Sequence, residues 1–221
     1  MSRLYGPVHR SLQDRFDTRR LADNVEQRVV GTEITLEHRA FIESRDMFWL
    51  ATVDHQGRPT VSYKGGDPGF VRVLDGSAIA FPCYDGNGMF YSMGNLIGNS
   101  QVGLLFVSFE KPHRLRVQGI ASVDENDPLL KDYAEAQLIV RVAVTEIFRN
   151  CPRYVHRYKK VTASEYVPRA GRDTPLAAWK RVDEVQAALP AKDQGRAARE
   201  GGIVSQKEYE KYLTDVTKGE K

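Results

Sequence analysis

Between residues 47 and 148 the chain is a series of short β-prone runs, each closed by a turn. Met47 to Val53 is rich in apolar, aromatic and β-branched residues, and Asp54-His55-Gln56-Gly57-Arg58-Pro59 ends it. Such composition and punctuation favour strands over helices. Thr60 to Lys64 is the next run, and Gly65-Gly66-Asp67-Pro68-Gly69 interrupts it with a bulge or a tight corner. Phe70 to Leu74 and Ala78 to Phe81 read as a hairpin around Asp75-Gly76-Ser77. Met89 to Ile97 reads as a short helix, and Gln101 to Phe109 as the most apolar strand. Leu115 to Val123 is its partner, and Gln137 to Val144 follows, with Ile147-Phe148 beyond it. Six or seven strands at this spacing predict a mainly β domain with flanking helices, closed into a barrel or sandwich rather than wound as βαβ units.

The flanks are different. Leu12, Phe16, Leu21 and Val25 recur at helical spacing among charges, which predicts one amphipathic helix packed by its apolar face. A second helix is expected at about 35 to 45, with Thr35 as N-cap. His38 stands where a capping box wants Glu or Gln. In the polar tail, 176 to 189 could be helical, 191 to 202 reads as an exposed link and 205 to 217 as a terminal helix. The organisation expected is a helical arm over 1–45, a barrel over 46–160 and a polar extension over 161–221.

Function classes fall away on motifs. The five histidines are scattered without metal-ligand spacing, so no metal site is expected. GxSxG and P-loop patterns are absent, and no glycine run sits between a strand and a long helix. A net charge of +3 is too mild to argue for nucleic acid. No apolar run approaches the roughly 18 residues of a membrane span, and the N-terminus is not a signal peptide. With two cysteines, Cys83 and Cys151, a reducing cytoplasm is the expectation and a structural disulfide is not.

The order of motifs resembles the pyridoxamine 5'-phosphate oxidase family. Leu50-Ala51-Thr52-Val53 before Gly57-Arg58-Pro59 is similar to that family's opening strand and turn. Leu96-x-x-Asn99 before Val102 to Phe106, and Arg114-Leu115-Arg116-Val117-Gln118-Gly119, are similar to its helix end and later strands. Segments 65–71, 85–89 and 150–154 resemble a branch of flavin-nucleotide-binding relatives. The resemblance implies a split β-barrel that pairs as a homodimer, with FMN in the groove between subunits.

It also implies site residues. Lys64 and Arg72 are the cations expected on the FMN phosphate, Arg72 standing where the family carries a lysine. A solvated strand charge is the alternative for Arg72. The family's Ser-Arg-Lys grip reads Phe90-Tyr91-Ser92 here, leaving Tyr91 and Ser92 as neutral donors, with Asn87 beside them. Phe70 and Val71 fall on the strand leading to Arg72, and Phe81-Pro82 on a strand whose backbone meets the flavin. Arg114 stands near the ring, where a cation favours the anionic reduced flavin; its alternative is an ion pair with a glutamate such as Glu110. Arg153 and Tyr154 are groove candidates, and Cys151 is expected as a buried small residue at a strand end. The family's substrate-closing Trp and Arg cannot be aligned to Trp179 and Arg181, and catalytic residues stay unassigned. The expected function is an FMN-dependent oxidoreductase with a small-molecule electron donor and acceptor. The alternatives are a flavin carrier or sensor without turnover, or a haem or deazaflavin binder on the same fold.

Overall fold

The structure is a computed structural model that describes residues 2–217. It divides into two compact units, one up to Ala163 and the other from Ser164 onward. Among the described residues no helix is long and apolar enough to cross a membrane.

The first unit opens with two helices, α1 (Pro7–Arg15) and α2 (Arg19–Val29), where the sequence predicts one. The chain breaks between them because Asp17 takes a left-handed backbone, φ 52°. The expected apolar stripe is not packed away. Leu12 and Leu21 remain 51% and 64% exposed, and neither helix buries a residue. α3 (Leu36–Glu43) then starts at Thr35, whose hydroxyl accepts from the His38 backbone N–H at 3.2 Å. His38 completes the reciprocal cap, its Nδ1 accepting from the Thr35 N–H, so the imidazole does the work of the missing Glu.

Seven strands follow: β1 (Met47–Val53), β2 (Pro59–Gly65), β3 (Arg72–Val73), β4 (Ala78–Cys83), β5 (Gln101–Ser108), β6 (His113–Asp124) and β7 (Leu138–Asn150). A short helix, α4 (Tyr91–Gly98), joins β4 to β5. All pairings are antiparallel, in the order β2-β1-β5-β6-β7-β4-β3. The fold is thus mainly β with flanking helices, as expected. The hairpin is shorter on its first arm, and the last two expected segments are one unbroken strand.

The sheet curls around a core in which β1 and β4 meet although they are not neighbours. Phe48 packs edge-on to Phe81 at 4.9 Å, and lies 5.2 Å from Phe106 and 5.8 Å from Phe70. Alternation along β6 buries Leu115, Val117 and Gly119 and leaves Arg116, Gln118 and Ile120 outside. At Gln118/Gly119 the register against β7 slips by a bulge. A Cβ on Gly119 would meet the Ala143 carbonyl oxygen and lie 2.6 Å from Val142 Cγ1. Backbone cannot give way as a flexible side chain can. Gly119→Ala is therefore expected to destabilise the barrel by about 1–3 kcal/mol, read as a lower urea midpoint at unchanged slope. A midpoint equal to wild type would show that β6 and β7 separate freely there.

In the second unit the segment expected to be helical forms two 3₁₀ turns, Ala178–Arg181 and Asp183–Ala188. The segment expected as an exposed link contains α5 (Arg196–Arg199) and two buried residues, Asp193 and Ala197. Lys180 and Asp193 pair in its interior, Nζ to Oδ2 2.7 Å, which is why a polar-looking stretch packs. α6 (Gln206–Thr217) closes the unit where a terminal helix is expected.

Candidate functional site

The strand period decides which side chains share the inner face of the sheet. Thr60, Ser62 and Lys64 alternate along β2, opposite Thr52, Leu50 and Phe48 of β1. Cross-strand partners share a face, so this polar row lies on the side of the sheet that carries the core. Thr52 and Thr60 bond through their hydroxyls at 2.7 Å. The buried Asn95 of α4 donates to both, at 3.0 and 3.2 Å. One turn earlier, Ser92 meets Ser62, Oγ to Oγ 3.0 Å. The helix is thereby stitched to β2, and its first turn stands beside the row that ends in Lys64. Phe90 precedes α4 in a left-handed conformation and gives it no side-chain cap.

Lys64 is half-buried, and among the described residues its ammonium has no hydrogen bond or ion pair. Burial pushes its pKa below the ordinary lysine value, with only the Cys83 thiol acting the other way. Burial likewise pushes the Cys83 thiol up. A desolvated cation without a partner is costly. With the Ser62 hydroxyl on the same row and Ser92 bonded to it from α4, it is what a bound phosphate would satisfy.

Tyr91 is used differently. Its hydroxyl donates to Asp54 Oδ2 at 3.0 Å. Asp54 is buried and also accepts from the backbone of Gln56 and Arg58, both at 2.9 Å, and from Arg58 Nε at 2.7 Å. The Arg58 bond is the main reason that its carboxyl lies well below the usual range; burial opposes it, and the two backbone donors and Tyr91 add to it. A depressed carboxylate contributes stability above its unfolded value, about 3.9, and loses it as pH falls further. Wild type is expected to lose stability more steeply than Asp54→Asn on acidification below about pH 4, followed by urea midpoints at stepped pH. Parallel curves would show that this turn does not couple to acid unfolding.

The other expected site residues scatter. Arg72 donates to Asp132 Oδ2 at 2.6 Å and lies 4.6 Å over the Tyr133 ring, so it is neither a solvated charge nor a free cation. Phe70, Val71, Phe81 and Pro82 are buried, the first three in the core cluster, so only their backbones could meet a ring. Asn87 is exposed and folds on itself, Oδ1 accepting from the Met89 N–H at 3.1 Å. Arg153 is exposed beside Tyr154, its guanidinium carbon 6.0 Å from the ring centre. Arg114 makes no pair with Glu110: its Nη2 donates to the Cys151 carbonyl, and its buried Nε has no partner. Directly across β7, the buried Asn150 Oδ1 also lacks one. Cys151 is exposed rather than buried, because β7 ends at Asn150 and the chain has already left the sheet, and both cysteines are free thiols. Of the histidines, His38 serves a helix cap and His113 packs edge-on to Phe41 at 4.4 Å.

Sequence reading missed Ser62, Asp54 and Asn150. The alternation Thr60, Ser62, Lys64 was a visible signal for the first. The other two become visible only through their neighbours.

This arrangement, a curled antiparallel sheet with a short helix stitched over its first hairpin, has a family match. Residues 34–159, more than half of the 221-residue chain, match the family profile described as pyridoxamine 5'-phosphate oxidase. The chain belongs to the pyridoxamine 5'-phosphate oxidase family. No curated protein sequence matches it. Solved structures with a similar fold include a putative pyridoxamine 5'-phosphate oxidase from Lactobacillus delbrueckii, at 26% identity and TM-score 0.44, covering 53% of this chain and 95% of that one. An FMN-binding protein from Syntrophomonas wolfei aligns at 12% identity and TM-score 0.41, covering 63% of this chain and 97% of its own. An F420 reductase aligns at 20% identity and TM-score 0.38, covering 49% and 94%. The matched stretch of the pyridoxamine 5'-phosphate oxidase family holds the whole sheet, α4 and every site residue expected from the sequence.

Proposed function

We propose that this protein binds FMN at the barrel mouth, with the phosphate held by Lys64, Ser62 and Ser92, and works as an oxidoreductase on a small-molecule donor. The observation that carries this reading is the half-buried, unpartnered Lys64 ammonium on the same row as the Ser62–Ser92 contact. Arg114 and Asn150 offer a buried donor and a buried acceptor on the outer face of the sheet, opposite the face that carries Lys64, so they would meet the polar edge of a flavin ring whose phosphate a second subunit holds. Bound there, the flavin would supply the redox chemistry, accepting a hydride and passing electrons on. The chain's own residues would orient it and set the charge around it. Arg72 takes no primary part, since Asp132 already holds it.

The proposal extends to a homodimer with the cofactor between subunits. On the outer face of β2, Val61 and Tyr63 are 68% and 63% exposed, beside the half-exposed Trp49 and Ala51 of β1. A second subunit would cover such a face, and two-fold pairing is the commonest way to do so.

The test is a visible spectrum of the purified protein, then release of the cofactor by denaturation. Flavin bands with FMN in the released fraction support the proposal. A colourless protein that takes up no added FMN at micromolar concentration would falsify it. A released deazaflavin keeps the site and changes the cofactor. Light scattering at the same concentration reads the dimer, and reduction by NADH, NADPH or pyridoxamine phosphate in turn separates an enzyme from a carrier.

A further inference from the structure

The second unit contains a cavity of about 360 Å³ that the flavin reading does not use. That volume lies within the range of small-molecule sites. Three tyrosines wall it: Tyr166 from the loop before the 3₁₀ turns, and Tyr209 and Tyr212 from α6. The two on α6 are nearly parallel, 18° apart, with centroids 6.4 Å from one another. Leu176 and Val204 add apolar wall.

The polar groups of the lining are unequal. Three carboxylates, Glu165, Glu200 and Glu208, face one guanidinium, Arg181. Arg181 is occupied: its Nε donates to the Gly202 carbonyl at 2.9 Å and its Nη2 to that of Gly201. Glu200 is also occupied, by Arg196 at 2.7 Å and by the Leu176 N–H at 2.8 Å. Glu208 spends Oε2 on the Ser205 N–H and hydroxyl, both at 2.7 Å, and keeps Oε1. Glu165 has no hydrogen bond or ion pair among the described residues. The cavity thus presents free carboxylate oxygen and aromatic faces, while its cation is largely spent on backbone carbonyls. Burial, then the Glu165 charge, pushes the Tyr166 phenol above its ordinary pKa, consistent with a negative interior.

We propose that this cavity is a binding site for a small organic cation, an alkyl- or arylammonium whose apolar body lies among the three tyrosines and whose charge faces Glu165 and Glu208. Aromatic faces attract cations through the ring quadrupole even where the rings are partly exposed, as Tyr166 and Tyr212 are. An anion would meet the carboxylates first, and a neutral ligand would gain only the apolar contact.

The experiment titrates the full-length protein with benzyltrimethylammonium, benzyl alcohol and benzoate in turn, following ligand signals by NMR. Benzyltrimethylammonium should bind about tenfold more tightly than benzyl alcohol, with benzoate weakest. Tyr209→Leu and Glu165→Gln should each weaken the cation by about three- to tenfold, while the FMN content and melting temperature stay at wild-type levels. Glu165 sits outside any helix, so its variant keeps the test open if Tyr209→Leu melts early. Benzoate binding as well as the cation, no binding of any probe at millimolar concentration, or cation affinity unchanged in Glu165→Gln would each overturn the proposal.

Discussion

Lys180→Met is expected to destabilise the C-terminal unit by about 3 kcal/mol, the lower end of what breaking a buried ion pair costs. Lys180 and Asp193 are buried to 5% and 2% exposure, with Nζ 2.7 Å from Oδ2. Removing the ammonium strands a carboxylate in the interior. The loss sits at the lower end because Arg196 remains 3.6 Å from the other oxygen of Asp193. The Lys180→Met, Asp193→Leu double variant should recover most of the loss, since a pair replaced together by apolar groups is often neutral. Hydrogen exchange resolved along the chain reads this directly: protection should fall from Ser164 onward in the single variant and return in the double. Equal protection in wild type and Lys180→Met would mean that the pair contributes nothing. A double variant worse than the single would mean that the site needs charge for a reason other than pairing.

The second large effect concerns Lys64, whose replacement should move two quantities in opposite directions. In Lys64→Met the FMN dissociation constant should rise about ten- to a hundredfold, the 1.5–3 kcal/mol of a charge-assisted phosphate contact. The cofactor-free protein should become more stable, because the variant removes a desolvated ammonium that has no partner. The sign of the pH dependence follows. The folded-state pKa of Lys64 lies below its ordinary value of about 10.4, so the burial cost is present at neutral pH. It is relieved as pH rises through the depressed pKa. Cofactor-free wild type should therefore gain stability relative to Lys64→Met on the alkaline side. Arg72→Ala is the contrast: Asp132 holds that guanidinium, so FMN affinity should change less than in Lys64→Met. Urea midpoints without FMN and fluorescence titrations with it give both numbers on the same samples. Affinity lost equally in the two variants would move the phosphate toward Arg72. Affinity lost in neither would remove it from this mouth.

Most of the sheet was legible from the amino-acid order because strand period and turn chemistry are local. Asp54 to Pro59 and Asp75-Gly76-Ser77 each forced a reversal, the glycine corner at 65–69 carried the chain from β2 to β3 at the other edge of the sheet, and β-branched and aromatic runs filled the lengths between. The helical flanks were less legible. One amphipathic stripe stood for α1 and α2, but the left-handed turn at Asp17 splits it and leaves Leu12 and Leu21 in solvent. In the tail, hydropathy read 191 to 202 as an exposed link, although Asp193 is buried there against Lys180. An ion pair buried across 13 residues has no signature in hydropathy.

The site divides along the same line. Sequence by itself determined the family, the order of the strands' turns and the list of residue types available to a flavin, including Lys64, Ser92 and Arg114. Only the tertiary structure decided which of them are free to act. Asp132 had already taken Arg72, Asp54 had taken Tyr91, and the core had taken Phe70, Val71 and Phe81, whereas Lys64 was left half-buried without a partner. The reason is physical: a side chain's charge and donors are written in the sequence, but whether they are already satisfied depends on neighbours brought from 30 to 60 residues away.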